Sequence, residues 1–376
     1  VSCPTLQRPS FEEQERRFLD RLAALRNEQP SLLLALQDLL LDFERRIALL
    51  ERCLPVNFSE AVFELEQGMR RGQYRAPRFV YARPDSEIGQ VAREMASLCR
   101  TLGGLRISER FRPVLAHLVE RAFELNLEAQ LAVAGQSTPA SNLVGQRYLI
   151  ESGDAELAAR LAEQWLSAED EERVDDGVVE LATFLRARAQ AEGVAVMVLE
   201  RPIASLAAAS TDGLAVQPGA RVAHAEAERI WVHEVHAHFL PRRRGPHSCA
   251  PLAAGTKGGA DDEEGRALWL EQKFGLLRAA RKRDLAVRHV IATTVRTDKA
   301  RLGEVVLKLL AEGCDARCVA RAVARALRGG GLAREAIYLP AFFRVKRCLE
   351  AHPQAELWMR WGRVSAAAAV ELDHWL

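Results

Sequence analysis

No C-x-x-C pair occurs in this chain of 376 residues, and its 7 cysteines are scattered, with only Cys314 and Cys318 close together. A disulfide framework or a cysteine zinc knot is therefore not expected, and a reducing compartment is. Cys314 and Cys318 read as small buried residues of a helix. Long apolar runs are also missing. The richest, Leu32 to Leu41, is broken by Gln37 and Asp38, so no membrane span is expected. Charge of one sign is lacking as well: Lys+Arg 52 against Asp+Glu 51 leaves a net +1, which gives no general drive toward nucleic acid or an anionic membrane. The first residues hold no basic stretch leading into an apolar one, so the expectation is a cytoplasmic protein. No repeat of fixed period is present. What the chain does have is apolar content, 48% hydrophobic, sufficient for a substantial core and two or three subdomains.

The basic runs are local. Arg242-Arg243-Arg244 and the group Arg278, Arg281, Lys282 and Arg283 could each hold an anion, but read first as solvated loop and helix faces.

Helical periodicity dominates the front of the chain. Phe18, Leu22 and Leu25 share a face, Gln29-Pro30-Ser31 breaks the run with Ser31 as a cap, and Leu32 to Leu50 continues it. Residues 1–75 thus read as an N-terminal helical hairpin. Phe79-Val80-Tyr81 reads as extended. Helices follow at Ile88–Leu98, from Ser108 through Leu125, at Asp154–Trp165 and at Asp176–Ala191, with Gly135 to Asn142 as a polar loop. The pattern then changes. Val194–Leu199, Leu214-Ala215-Val216 and Arg221-Val222-Ala223 read as short strands. A helix over Ala225–Leu240 comes next, then a long loop, Pro241 to Gly259, placed to rim a site. Helices resume at Asp262–Ala280, Thr297–Glu312, Asp315–Leu327 and Arg334–Arg347, with a sharp break at Gly329-Gly330-Gly331 and a helical tail from Pro353. The fold class expected is α+β, predominantly helical, with a small β-sheet beside the helix of residues 225–240.

That helix carries His233-Glu234-Val235-His236-Ala237-His238, an H-E-x-x-x-H pattern. Two imidazoles can hold a zinc ion, and the adjacent glutamate can take a proton from water that the ion activates. On an ideal α-helix, positions i and i+5 lie about 140° apart, too far to share an ion. A π-bulge between His233 and His238 would bring them together, and such bulges gather at functional sites. His236, at i+3, competes as the second ligand without any distortion. A third ligand is offered by the cluster Asp261-Asp262-Glu263-Glu264, where Glu263 and Glu264 are candidates and Glu271 lies two turns on. The same acids would also suit a helix N-terminus. Arg328 and Tyr338 flank the glycine break, which can present both to one cavity as an oxyanion partner or a carboxylate clamp. They equally suit a helix C-cap and a half-buried tyrosine.

Together, His233 to His238, Glu263-Glu264-Gly265-Arg266-Ala267, Leu327-Arg328-Gly329-Gly330-Gly331-Leu332 and Ala336-Ile337-Tyr338-Leu339 resemble the bacterial QEGLA-motif proteins. Those are relatives of the eukaryotic tubulin-tyrosine carboxypeptidases of the microtubule-associated type, with a pattern of HEVGTH, QEGLA, RGGGL and VYL. Weaker similarity spans about residues 75 to 370. The resemblance implies a zinc metallopeptidase that removes a C-terminal residue, with His233, His238 and Glu264 as metal ligands and Glu234 as the catalytic glutamate. Two departures stand out: His236-Ala237 replaces the family's Gly-Thr, and Arg266 replaces its Leu. The resemblance is not extended to a preference for tyrosine or tubulin.

The expectation is thus a Zn2+-dependent carboxypeptidase acting on a peptide or protein C-terminus, with no nucleic-acid or membrane partner. The alternatives are a non-catalytic metal-binding regulator or scaffold, and an endopeptidase. Residues 76–376 are read as the catalytic domain: a helical part at 76–192, the strands and motif helix at 193–240, and the acidic-motif and C-terminal helices at 260–376.

Overall fold

The structure, a computed structural model, describes residues 10–82, 86–135, 140–169, 177–201, 203, 205–210, 212–245 and 250–376. It is α+β and predominantly helical, with one two-stranded and one three-stranded sheet. No described helix is long and apolar enough to cross a membrane.

The strands are β1 (Val178–Glu180), β2 (Met197–Glu200), β3 (Ala207–Ala209), β4 (Gly213–Val216) and β5 (Arg221–Ala223). β1 pairs antiparallel with β5, and the larger sheet runs β2-β4-β3, parallel then antiparallel, which leaves β3 at an edge. Leu214 and Val216 of β4 join Trp231, Val235 and Phe239 of the motif helix in one buried cluster, so the sheet does lie beside that helix.

Several segments differ from the sequence reading. Residues Val178–Glu180, expected as helix, form a strand, because they pair with β5 before the helix Leu181–Ala191 begins. Ser31 is the first helical residue and not a cap, Pro30 taking the cap position. Of the loop expected at Gly135–Asn142, residues 136–139 lie outside the described residues, and Ala140–Arg147 is helical. Of the loop expected at Pro241–Gly259, residues 246–249 lie outside the described residues, while Leu240–Arg244 and Ala250–Ala254 are helical. The helix carrying the acidic cluster, Gly259–Lys273, ends sooner than expected, and a further helix, Ala279–Thr297, fills a stretch the periodicity left unassigned. That helix buries Leu285, Val287, Ile291 and Val295 while turning Arg281, Asp284 and Arg288 toward a cavity, so it has no plain polar face to read.

The acidic-cluster helix packs closely on the helix Tyr338–Ala351. A Cβ on Gly265 would stand 2.4 Å from the carbonyl oxygen of Ala341, so only glycine lets the two backbones approach this far.

The helix Ser31–Ile47 buries Leu33, Leu36, Leu40, Phe43 and Ile47 in the main core, and its Glu44 adds ion pairs with Arg363 and Arg121. Burial raises the Glu44 pKa, but the two guanidinium groups outweigh it and bring the carboxyl from 4.5 to about 2. Glu335, held by Arg325 at 2.8 Å, is brought to about 2 against the same burial. Both groups have folded pKa values below their unfolded ones. Their contribution is complete above 4.5 and is lost as pH falls toward about 2, where the unfolded chain takes up protons first. The unfolding free energy, followed by denaturant titration at several pH values, is expected to decline through this window. Glu44→Gln and Glu335→Gln together should start lower at neutral pH and decline less steeply; an unchanged slope would show that these pairs do not carry the dependence.

Candidate metal centre

The motif helix is not a plain α-helix. Residues His224–Trp231 are α-helical, Val232–Phe239 form a π-helix, and Leu240–Arg244 return to α. A π-turn closes its hydrogen bonds one residue later, which puts positions five apart on the same side. The rings of His233 and His238 accordingly face one another, with centroids 5.0 Å apart. The distortion expected between these histidines is present.

Nε2 of His233 lies 3.7 Å, and Nε2 of His238 3.8 Å, from the same Oε2 of Glu264. The ligand atoms of these three residues all lie within 4.8 Å of one another, and they form the metal-capable cluster found among the described residues. Two imidazole nitrogens and a carboxylate oxygen are the donor types that zinc takes in open, three-ligand sites. His236 is not part of the cluster. Its Nε2 lies 3.3 Å from Glu192, and its ring meets Trp231 edge-on at 6.1 Å, because the π-turn that brings His238 inward carries the i+3 position outward.

The other acidic candidates stand behind the histidines. Glu271, wholly buried, accepts at 2.7 Å from Nδ1 of His233 and is also held by Arg229 and Arg281. Glu263 brings Oε2 to 3.0 Å from Nδ1 of His238, at an angle that makes it a charge contact and not a hydrogen bond. Arg242 holds Glu263 from the other side at 2.6 Å. With a carboxylate at each Nδ1, each Nε2 is left facing the cluster. The basic runs are thus not solvated faces throughout: Arg242 and Arg281 point inward to carboxylates of the site.

Charge in the centre is balanced by these contacts. Burial works against a charged His233, yet Glu264 and Glu271 outweigh it and lift the ring to about 9. Burial would raise Glu264; Arg334 and the two imidazoles hold it well below its ordinary value. Glu263 is brought to about 2 against its burial, first by Arg242 and then by His238.

His233, His238 and Glu264 line a cavity of about 560 Å³. Glu234 lines it too. One of its oxygens accepts from the backbone N–H of Ala209 on the edge strand β3 at 2.9 Å, and the other has no hydrogen-bond partner among the described residues. Arg328 and Tyr338 reach the same cavity, as the glycine break suggested. Gly329, Gly330 and Gly331 all have positive φ, a run that turns the chain sharply between the two side chains. Arg328 is buried with its Nε unpaired, and one Nη lies 3.5 Å from Glu335. The Tyr338 phenol is raised above 10.0 by burial and by Glu264, so it stays protonated and able to donate.

Sequence reasoning missed two parts of the site. Arg334 lies 3.2 Å from the Glu264 oxygen that faces away from the histidines, and its guanidinium sits over the Tyr338 ring at 5.8 Å. Its spacing of four residues before Tyr338 was a legible signal. The edge strand of three alanines, which orients Glu234, gave none.

No curated protein and no solved structure matches the chain. A family model does: the one described as microtubule-associated tyrosine carboxypeptidase matches residues 137–374, a segment that holds the three clustered side chains, Glu234 and the glycine break. That match covers well over half of the chain, which therefore belongs to the microtubule-associated tyrosine carboxypeptidase family.

Proposed function

We propose that the chain is a zinc-dependent carboxypeptidase that hydrolyses the last peptide bond of a peptide or protein substrate. One observation carries this reading: a π-turn sets His233 and His238 against Glu264 within 4.8 Å, on the wall of a cavity that Glu234 also faces. His233, His238 and Glu264 would hold the zinc ion, which would supply Lewis acidity at neutral pH.

The remaining chemistry belongs to the chain's own residues. Glu234, anchored through one oxygen to Ala209 N–H, has the other oxygen available to accept a proton from the attacking water and to hand it to the departing amine. Tyr338 donates its hydroxyl to the oxygen on which charge develops. Arg328, whose Nε has no partner although buried at the cavity wall, fits the free carboxylate of the substrate, which would complete its hydrogen bonding. The cavity also carries Arg288, Arg321 and Arg325, an excess of cations that favours an anionic chain end. The substrate proposed is the C-terminus of a peptide or protein, met in the cytoplasm.

A panel of short peptides with free and amidated C-termini tests this, with zinc measured on the purified protein. Release of single C-terminal residues from the free peptides only, abolished by a chelator and restored by zinc, is the expected result. Cleavage of amidated peptides at internal bonds would instead make the protein an endopeptidase. Full zinc occupancy without cleavage of any peptide would leave a regulator or scaffold.

A further inference from the structure

The π-helix takes from the His236 carbonyl its usual helical donor. The N–H of Leu240 donates to the carbonyl of Val235, five residues back, so it no longer serves His236, its partner in an α-helix. The π-type donor for His236 would be residue 241, which is a proline and has no N–H. A half-buried carbonyl in this position costs stability unless another group reaches it. Arg266 does: its Nη1 donates to the His236 carbonyl at 3.0 Å.

Arg266 is an expensive choice for this task. It is 3% exposed, its Nε has no partner, and no carboxylate of the described residues lies within ion-pair distance. Burial brings its pKa down to about 10. A buried guanidinium without an ion pair is tolerated only where its hydrogen bond matters. Arg266 lies two residues after Glu264 on the acidic-cluster helix, and His236 lies two residues before His238 on the motif helix. The bond therefore ties together the two helices that supply the clustered side chains, beside the cluster itself.

We infer that Arg266 is a positioning residue for the metal centre: by capping the carbonyl that Pro241 leaves unpaired, it fixes the π-turn that holds His238 opposite His233 and Glu264. This rests on the reading that the cluster binds zinc. It adds that the register of the motif helix is set from outside the helix, by a side chain that touches neither metal nor substrate.

The test is a comparison of zinc affinity, by competition with a chromophoric chelator, in the full chain and in Arg266→Leu, Pro241→Ala and the double variant. Thermal unfolding of each zinc-free protein is measured alongside. Arg266→Leu is expected to weaken zinc by about tenfold or more, the scale on which groups supporting metal ligands act. Pro241→Ala restores an N–H within reach of the His236 carbonyl, so the double variant should recover most of that loss. Because Pro241→Ala can also raise general stability, the zinc-free unfolding midpoints separate the two roles: affinity that recovers beyond what the midpoints account for marks positioning. Unchanged zinc affinity in a folded Arg266→Leu protein, or a double variant as weak as the single one, overturns the inference. If Arg266→Leu does not fold, Arg266→Gln, too short to span to the carbonyl, takes its place in the same comparison. Failure of the unaltered protein to bind zinc at one ion per chain would instead remove the metal reading itself, which keeps the two failures apart.

Discussion

Glu234→Gln is expected to lower kcat by about 10²–10⁴-fold while leaving zinc binding and thermal stability close to those of the unaltered protein. The substitution is nearly isosteric. A glutamine carbonyl oxygen can still accept from Ala209 N–H, the contact that fixes the side chain at 2.9 Å, so the motif helix keeps its contact with the edge strand. What is lost is basicity: an amide cannot take a proton from water or return it to an amine. The three clustered side chains are untouched, and Glu234 is not among them. The effect should therefore fall on kcat, with the zinc dissociation constant unchanged and KM moved little. Steady-state kinetics on a free peptide, with metal content measured on the same sample, decides the matter. Retained turnover would reject Glu234 as the general base, and a parallel loss of zinc would mean that the glutamate supports the metal instead.

How much of this site could be read from the chain depends on the range of the interactions involved. The motif itself was local, and so was the condition for its distortion, because histidines five apart cannot share an ion on an α-helix; spacing left His236 as an undistorted alternative, and the resemblance favoured His238 and with it the π-turn found at Val232–Phe239. The acidic cluster was legible as a source of carboxylates. The division of labour among them was not. Glu264 faces both histidines, whereas Glu263 and Glu271 support one ring each, and that depends on how two helices cross. The strand β3 was invisible because Ala207-Ala208-Ala209 has no β-branched residue; it is a strand only because β4 pairs with it. The helix Ala279–Thr297 was missed for a related reason. Its charges turn into the cavity and meet carboxylates there, which erases the polar face that periodicity relies on. Buried charge is the common factor in the missed helix and in the undivided carboxylates, and it gathers around the candidate metal centre.

Glu271→Leu should show how far that buried charge sustains the centre. Glu271 has no exposed surface and receives three partners: Nδ1 of His233 at 2.7 Å, Arg229 at 2.9 Å and Arg281 at 3.1 Å. Burial raises its pKa, but Arg281 and Arg229, followed by His233, hold it well below the ordinary carboxylate value, so it is ionised throughout the neutral range. Removing the carboxylate leaves two guanidinium groups facing apolar surface, and breaking a buried pair in this way costs about 3–5 kcal/mol. Arg229 keeps Glu226 and Arg281 keeps Asp284, which places the expected loss toward the lower end of that range. The imidazole of His233 also loses the acceptor that fixes its orientation, and zinc affinity should fall by about 10–100-fold. Glu271→Gln retains one acceptor oxygen for Nδ1 but not the charge, so it should spare zinc more than it spares stability. Urea unfolding of the zinc-free proteins, set beside equilibrium dialysis against zinc, separates the two effects. If the leucine variant binds zinc as tightly as the unaltered chain, His233 is oriented by the π-turn alone, and Glu271 serves the arginines and not the metal.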